Sequence, residues 1–275
     1  MRSVTPKKRF GQHFLKDMSI AERIAQTITD DVKNVLEIGS GTGALTQFLI
    51  TNDKINLKAV EIDLESYAFL QKTFPNLQVF REDFLKMDLI KIFDNENFGI
   101  IGNFPYNIST QILFKVLEDR DKIPFFAGMF QKEVAERICA KEGSKTYGIT
   151  SVLAQAFYKV EYLFGVSEHV FDPPPKVKSA VIRLTRNEVE TLPCDEKLFF
   201  EVVKTAFNQR RKTLRNSLKT FRQTQQDTRQ ETQDTRQETQ GTNETKDLFE
   251  NEIFNLRPEQ LTVNQFIDLT NLVDK

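Results

Sequence analysis

The chain has 275 residues, a hydrophobic fraction of 39%, 24 Phe, no Trp and a formal net charge of −1. That supports one large domain with a core plus a smaller appendage, and it excludes a disordered chain. No uninterrupted apolar run approaches the ~20 residues of a bilayer-spanning helix, and no signal-like stretch opens the chain, so the expectation is a cytoplasmic protein with no membrane partner.

A near-neutral total conceals an uneven distribution. Arg2, Lys7, Lys8, Arg9 and Lys16 occupy the first sixteen residues without an acid. Lys204, Arg210, Arg211, Lys212, Arg215, Lys219 and Arg222 form a second basic stretch. Acids dominate between Asp227 and Glu252. Cys139 and Cys194 match no metal or redox spacing, so no metal site is expected.

In chain order, a helical period over roughly Ser19–Thr29 precedes a buried strand at Asn34–Ile38. Glycines 39, 41 and 43 follow, with helical character from Ala44 to Ile50. The pattern predicts a strand at Leu57–Ile62, a helix at Leu64–Thr73, and strands at Leu77–Arg81 and Phe98–Gly102. A helix near Ser109–Leu117 and a strand near Phe125–Phe130 continue the alternation, which predicts an α/β fold with a parallel sheet covered on both faces. Ser151–Val166 and Ala180–Thr185 are expected as closing strands. After a boundary near residue 187 the pattern turns helical, at Leu198–Phe207, Arg211–Phe221 and Pro258–Leu272. The heptad DTRQETQ, written twice within 227–240, has no apolar position for a coiled-coil seam and is expected as a polar insertion near 223–246.

Three strand ends carry chemistry. Gly39 and Gly41 let the backbone turn tightly against a ligand. Glu61, about twenty residues on, is placed to accept ribose hydroxyls, and Asp83 to accept from an adenine amine. Dinucleotides and S-adenosylmethionine both contain adenosine, so these residues leave both open. The turn Asn103-Phe104-Pro105-Tyr106 separates them. An amide oxygen and the Phe104 carbonyl can accept the two N–H hydrogens of an adenine amine, concentrating its lone pair for attack on a methyl group. Pro105 stiffens the turn, and Tyr106 offers an aromatic face worth ~1–3 kcal/mol in stacking. Hydride transfer has no use for such a turn.

On Arg9–Leu15, Glu37–Gly43, Asn103–Ser109 and Phe171–Val177, the chain resembles the ribosomal RNA adenine dimethyltransferases of the bacterial small-subunit type. The resemblance implies a Rossmann-like class I S-adenosylmethionine methyltransferase sheet with helices on both faces, plus a small C-terminal all-helical domain. It implies that His13 and Leu15 border the cofactor pocket, that Gly39 contacts the methionine part, and that Tyr106 and Phe171 sandwich the target base. It further implies dimethylation of two adjacent adenines in a hairpin near the 3′ end of 16S rRNA, in immature 30S particles. Arg210, Arg211, Lys212 and Arg215 would then dock RNA without reading its sequence. His13 stands where many relatives carry Asn. The rival readings are a large-subunit or DNA acceptor, an assembly factor and a dehydrogenase; a monomer is expected.

Overall fold

A computed structural model describes residues 4–219 and 251–274. The twin heptad, its flanks within 223–246, and the end of the expected Arg211–Phe221 helix lie outside the described residues. The chain forms two compact units: its start to Cys139 with Phe157–Glu188, and Ala140–Ala156 with the described residues from Val189 onward.

The first unit holds β1 (Phe14–Leu15), α1 (Met18–Ala25), β2 (Asn34–Ile38), α2 (Thr46–Leu49), β3 (Asn56–Val60), α3 (Leu64–Thr73) and β4 (Gln78–Phe80). Then come β5 (Gly99–Asn103), α4 (Ser109–Glu118), β6 (Phe125–Gln131) and α5 (Lys132–Cys139). After α6 (Ile149–Phe157), the unit resumes with β7 (Tyr158–Val166), β8 (Phe171–Asp172) and β9 (Ser179–Arg186). Seven strands form one sheet in the order β4-β3-β2-β5-β6-β9-β7. The first five are parallel, and β9 runs antiparallel to both β6 and β7. Every residue of β2 is buried, which is why parallel strands covered on both faces read as unbroken apolar runs. Short side chains of Asp17 and Asp63 cap α1 and α3 by accepting from the Ser19 and Ser66 amides. A second sheet pairs β1 with β8, bringing Leu15 opposite Phe171.

Two expectations need correction. The segment expected as one strand, Ser151–Val166, is a helix through Phe157 and a strand only from Tyr158. Val152, Leu153, Ala154, Ala156 and Phe157 are all buried, so the apolar run carries no period of its own. Its Ala, Leu and Gln favour helix, while alternation with β-formers begins at Tyr158. Helix α5, with Ala135 and Ile138 buried, was not expected at all.

Among its described residues the second unit has helices and connecting turns but no strand. It contains α6 up to Ala156, α7 (Glu196–Asn208), a helical stretch at 214–219, and α8 (Val263–Asp274). Asp195 caps α7 through the Leu198 amide. Phe207 packs edge-on to Tyr147 (6.0 Å) and stacks on Phe266 (5.7 Å), joining three segments in one core. The stretch expected as a helix from Arg211 begins instead at 214, after a turn holding Arg211 and Lys212. Thr213 precedes the first helical residue, a position that favours a hydroxyl.

Candidate active site

The chain leaves β2 toward β3 and β4 on one side and enters β5 and β6 on the other, so the order of strands reverses between β2 and β5. Open α/β sheets bind ligands in the crevice at such a reversal, beyond the carboxyl ends of the strands. Val60, Ile38 and Gly102 share one rung across β3, β2 and β5. The next residues, Glu61, Gly39 and Asn103, therefore stand side by side at one edge. A cavity of about 270 Å³ opens there.

Gly39 and Gly41 have φ of +69° and +55°, which only glycine adopts readily. The Gly41 amide donates to Glu61 Oε2 and the Asp63 amide to Oε1, each at 2.8 Å. Glu61 thus clasps the glycine loop to the start of α3, and each carboxylate oxygen keeps lone pairs for further donors. Burial raises the Glu61 pKa. Glu37, 1% exposed, accepts from Thr46 Oγ1 (2.6 Å), and burial pushes its pKa up to about 7. Asp83 is half-buried and caps the turn Phe84–Lys86 through the Leu85 amide (3.1 Å). Helix α2 spans only four residues, and the loop's Gly39, Gly41 and Gly43 amides donate to the Val60 carbonyl, Glu61 and the Ser40 carbonyl.

Asn103 ends β5 and donates from Nδ2 to the His13 carbonyl (3.2 Å), which turns its amide oxygen away from that bond. The Phe104 ring is buried, stacked on Phe126 (5.0 Å) and edge-on to Phe130 (5.1 Å). Its amide donates to the Met129 carbonyl (3.2 Å), while its own carbonyl accepts nothing among the described residues. Pro105 lies beside Gly39: a β-carbon there would meet Pro105 Cδ at 3.6 Å. The Tyr106 hydroxyl bonds Ser179 Oγ, and burial raises its pKa.

His13, Leu15, Gly39, Gly41, Glu61, Asp83, Asn103, Phe104, Pro105 and Tyr106 all line this one cavity. His13 also stacks on Tyr106 (centroids 5.6 Å, 25°), and its Nδ1 donates to the Pro173 carbonyl (2.7 Å). Phe171 is placed elsewhere. Paired through β8 with Leu15, it is fully buried among Leu15, Met129 and Val181 and does not line the cavity. In the second unit, Arg211 and Lys212 are exposed. Arg210 is half-buried, donating to the Ser144 carbonyl (3.0 Å) beside Glu259, and Arg215 donates to Asn255 Oδ1 (3.3 Å).

Several residues escaped the sequence reading. Glu37 was visible only as part of a motif. Gly128 and Gly102 make room for the Phe104 ring: a β-carbon at Gly128 would fall 2.5 Å from Phe104 Cε2. Nothing in spacing signals that Ser179 meets Tyr106, 73 residues away. Ser40 Oγ is buried on the cavity wall beside the Glu37 carboxyl, with which it interacts without completing a hydrogen bond of good geometry. The buried Ser40 hydroxyl, the Glu61 carboxylate with lone pairs to spare and a loop without side chains at Gly39 and Gly41 fit a polar, hydroxyl- and amine-bearing cofactor such as S-adenosylmethionine.

A family model described as "Ribosomal RNA adenine dimethylase" matches residues 4–256. Proteins named "Ribosomal RNA small subunit methyltransferase A" from Bacteroides thetaiotaomicron and Flavobacterium johnsoniae are each 55% identical over all of this chain and 96% and 98% of theirs. The crystal structure of a dimethyladenosine transferase from Plasmodium falciparum superposes with a TM-score of 0.79 at 26% identity, covering 94% of this chain and 96% of that one. The crystal structure of the 23S rRNA methyltransferase ErmE, at 23% identity and a TM-score of 0.62 over 95% of this chain and all of that one, shares the fold. The chain belongs to the ribosomal RNA adenine dimethylase family.

Proposed function

We propose that this protein transfers methyl groups from S-adenosylmethionine to the N6 amines of two adjacent adenines, in a hairpin loop near the 3′ end of small-subunit rRNA. The observation that carries the reading is the single cavity holding both the glycine loop and the Asn103–Tyr106 turn. The names of its relatives direct it to the small subunit.

S-adenosylmethionine supplies an electrophilic methyl on a sulfonium. The Glu61 carboxylate binds ribose hydroxyls, and Asp83 orients the adenine ring of the donor. Asn103 Oδ1 and the Phe104 carbonyl accept the two N–H hydrogens of the acceptor amine, drawing its nitrogen toward a tetrahedral shape. Tyr106 stacks on the acceptor base, which must leave its own stack to arrive there. Positioning supplies most of the acceleration, because the methylated nitrogen sheds its proton readily and no strong base is required. Phe171 supports this wall from beneath through its pairing with Leu15.

The first unit performs the chemistry, and the second, presenting Arg211, Lys212 and Arg215, docks RNA in an immature small subunit. The protein acts as a cytoplasmic monomer and contributes to small-subunit biogenesis. Among the described residues no helix is long and apolar enough to cross a membrane. Mass mapping of nucleotides after reaction with unmethylated small subunits tests the reading directly. Dimethyladenosine at two neighbouring positions is expected; modification confined to large subunits or DNA would overturn it.

A further inference from the structure

The cavity is asymmetric in charge. Glu37, Glu61, Glu82 and Asp83 line its donor side, and Arg9 is the only Lys or Arg on the lining. The donor's ribose takes up Glu61 and its adenine Asp83, while its sulfonium would be repelled by an arginine.

Arg9 sits in a short turn, Lys8–Phe10, docked onto the reacting turn. The next residue but one, Gly11, packs so closely that a β-carbon would lie 2.6 Å from Asn107 Oδ1 and 3.8 Å from the Tyr106 amide. Arg9 is exposed, lies 4.6 Å from the Phe10 ring and pairs with no acid among the described residues. A second segment reaches the same turn from far along the chain. Residues 173–179 are fastened at one end by His13 to the Pro173 carbonyl and at the other by Tyr106 to Ser179 Oγ. Between the fastenings stand Lys176 and Lys178, both exposed; Lys178 acts on Glu168, whereas Lys176 has no acid partner among the described residues. Each segment that abuts Tyr106 thus holds an exposed cation without an acid partner among the described residues: Arg9, which lines the cavity and follows the likewise exposed Lys8, and Lys176.

We propose that Arg9 and Lys176 hold the two phosphates flanking the acceptor adenosine; this rests on the reading that the acceptor is a nucleotide within RNA. A base swung out of its stack brings a phosphate on each side, whatever its identity, and charge-assisted hydrogen bonds to those oxygens fix the sugar relative to Tyr106. The contact is neutral to sequence. Selection of adenine stays with Asn103, while the clamp accepts any nucleotide step, so moving the strand by one phosphate presents the neighbouring adenine to the same amide.

The test uses the full chain with an unmethylated transcript of the small-subunit rRNA 3′ region. Binding is followed across a salt titration and methyl transfer with labelled S-adenosylmethionine. Arg9→Ala and Lys176→Ala each raise KM for RNA by about tenfold, and the double variant by about a hundredfold. The slope of log affinity against log salt becomes shallower by ~0.7 per lost contact. Arg9→Lys retains most of the affinity, kcat at saturating RNA stays within about threefold, and cofactor affinity does not move. Lys33→Ala, at the opposite end of β2, serves as the control and leaves the slope unchanged. A double variant with the parent's slope and KM overturns the clamp, as does a loss confined to cofactor affinity. A parent chain that methylates no RNA overturns the proposed function, and the clamp with it.

Discussion

The two halves of the cavity are held together by different means. On the donor side, neighbouring strands carry Gly39 and Glu61 to the same edge, and Glu61 then clasps the main chain of Gly41 and Asp63. On the acceptor side, the short β1–β8 ladder joins two of the segments, which otherwise meet through single contacts: Asn103 with His13, His13 with Pro173, Tyr106 with Ser179. A backbone ladder fixes its residues as tightly as the sheet itself. Single clasps between distant segments can each open while the core stays folded. The donor half is thereby suited to one small ligand in one pose, and the acceptor half to a polymer that must enter, react and shift.

The sharpest way to break this division is Asn103→Ala. The acceptor half loses its amide oxygen, while the donor ladder, built on the backbone of β5, stays intact. Methyl transfer should fall by about a thousandfold, the upper range for removing one positioned polar group, or about 4 kcal/mol of barrier. Cofactor affinity should change by less than about tenfold. Single-turnover transfer and calorimetric cofactor titration measure the two separately, and a variant retaining the parent's transfer rate removes Asn103 from the reaction.

Glu37→Gln probes the donor half alone. Glu37 is fully buried, and burial raises its pKa from 4.5 to about 7. The folded state therefore holds a proton that the unfolded chain releases near pH 4.5, and the stability this contributes is lost as pH rises toward 7. Relative to Glu37→Gln, the parent should lose about 3 kcal/mol between those limits and run parallel above them. Denaturant unfolding of both proteins across that range, without cofactor, gives the comparison; curves parallel throughout mean that Glu37 does not titrate on folding.

Gly128→Ala attacks the joint between the halves. The added carbon would stand 2.3 Å from the Gly102 carbonyl and 2.5 Å from the Phe104 ring, so backbone must move. Overpacking of this kind costs about 2 kcal/mol. Because Phe104 anchors the reacting turn, transfer should fall along with the melting temperature. An unchanged melting temperature would show that the strand relaxes without strain.

The contrast between the halves also explains what sequence patterns could convey. The strand Asn34–Ile38 and helix Leu64–Thr73 occur where the sequence placed them, the strand as a short buried run ended by glycine and the helix behind its capping Asp63. Gly39, Glu61, Asp83 and Asn103 were legible for the same reason: each follows a recognisable strand. Ile149–Phe157 was misread because a helix buried on most sides loses its polar face. Ser179, Gly128 and the burial of Phe171 were illegible, since each depends on a partner far away in the chain. The acceptor half is made of such pairings. A motif reveals its residue types there without revealing which side chain faces the ligand.

The smallest effect separates a residue that serves the ligand from one that serves the fold. Ser40 Oγ is buried on the donor wall and, beside the Glu37 carboxyl, completes no hydrogen bond of good geometry among the described residues. An unsatisfied buried hydroxyl costs the folded protein, whereas one bonded to a ligand favours the complex. Ser40→Ala should therefore leave the melting temperature of the free protein unchanged or slightly higher. It should weaken S-adenosylmethionine binding by about tenfold, or ~1.4 kcal/mol. Thr46→Ala, which removes the hydroxyl that Glu37 accepts, should show the opposite balance, with stability falling first. Thermal melts with and without cofactor read both quantities from one sample. If Ser40→Ala destabilises the free protein and spares the cofactor, that hydroxyl belongs to the scaffold, and the donor wall holds its ligand by backbone and carboxylates alone.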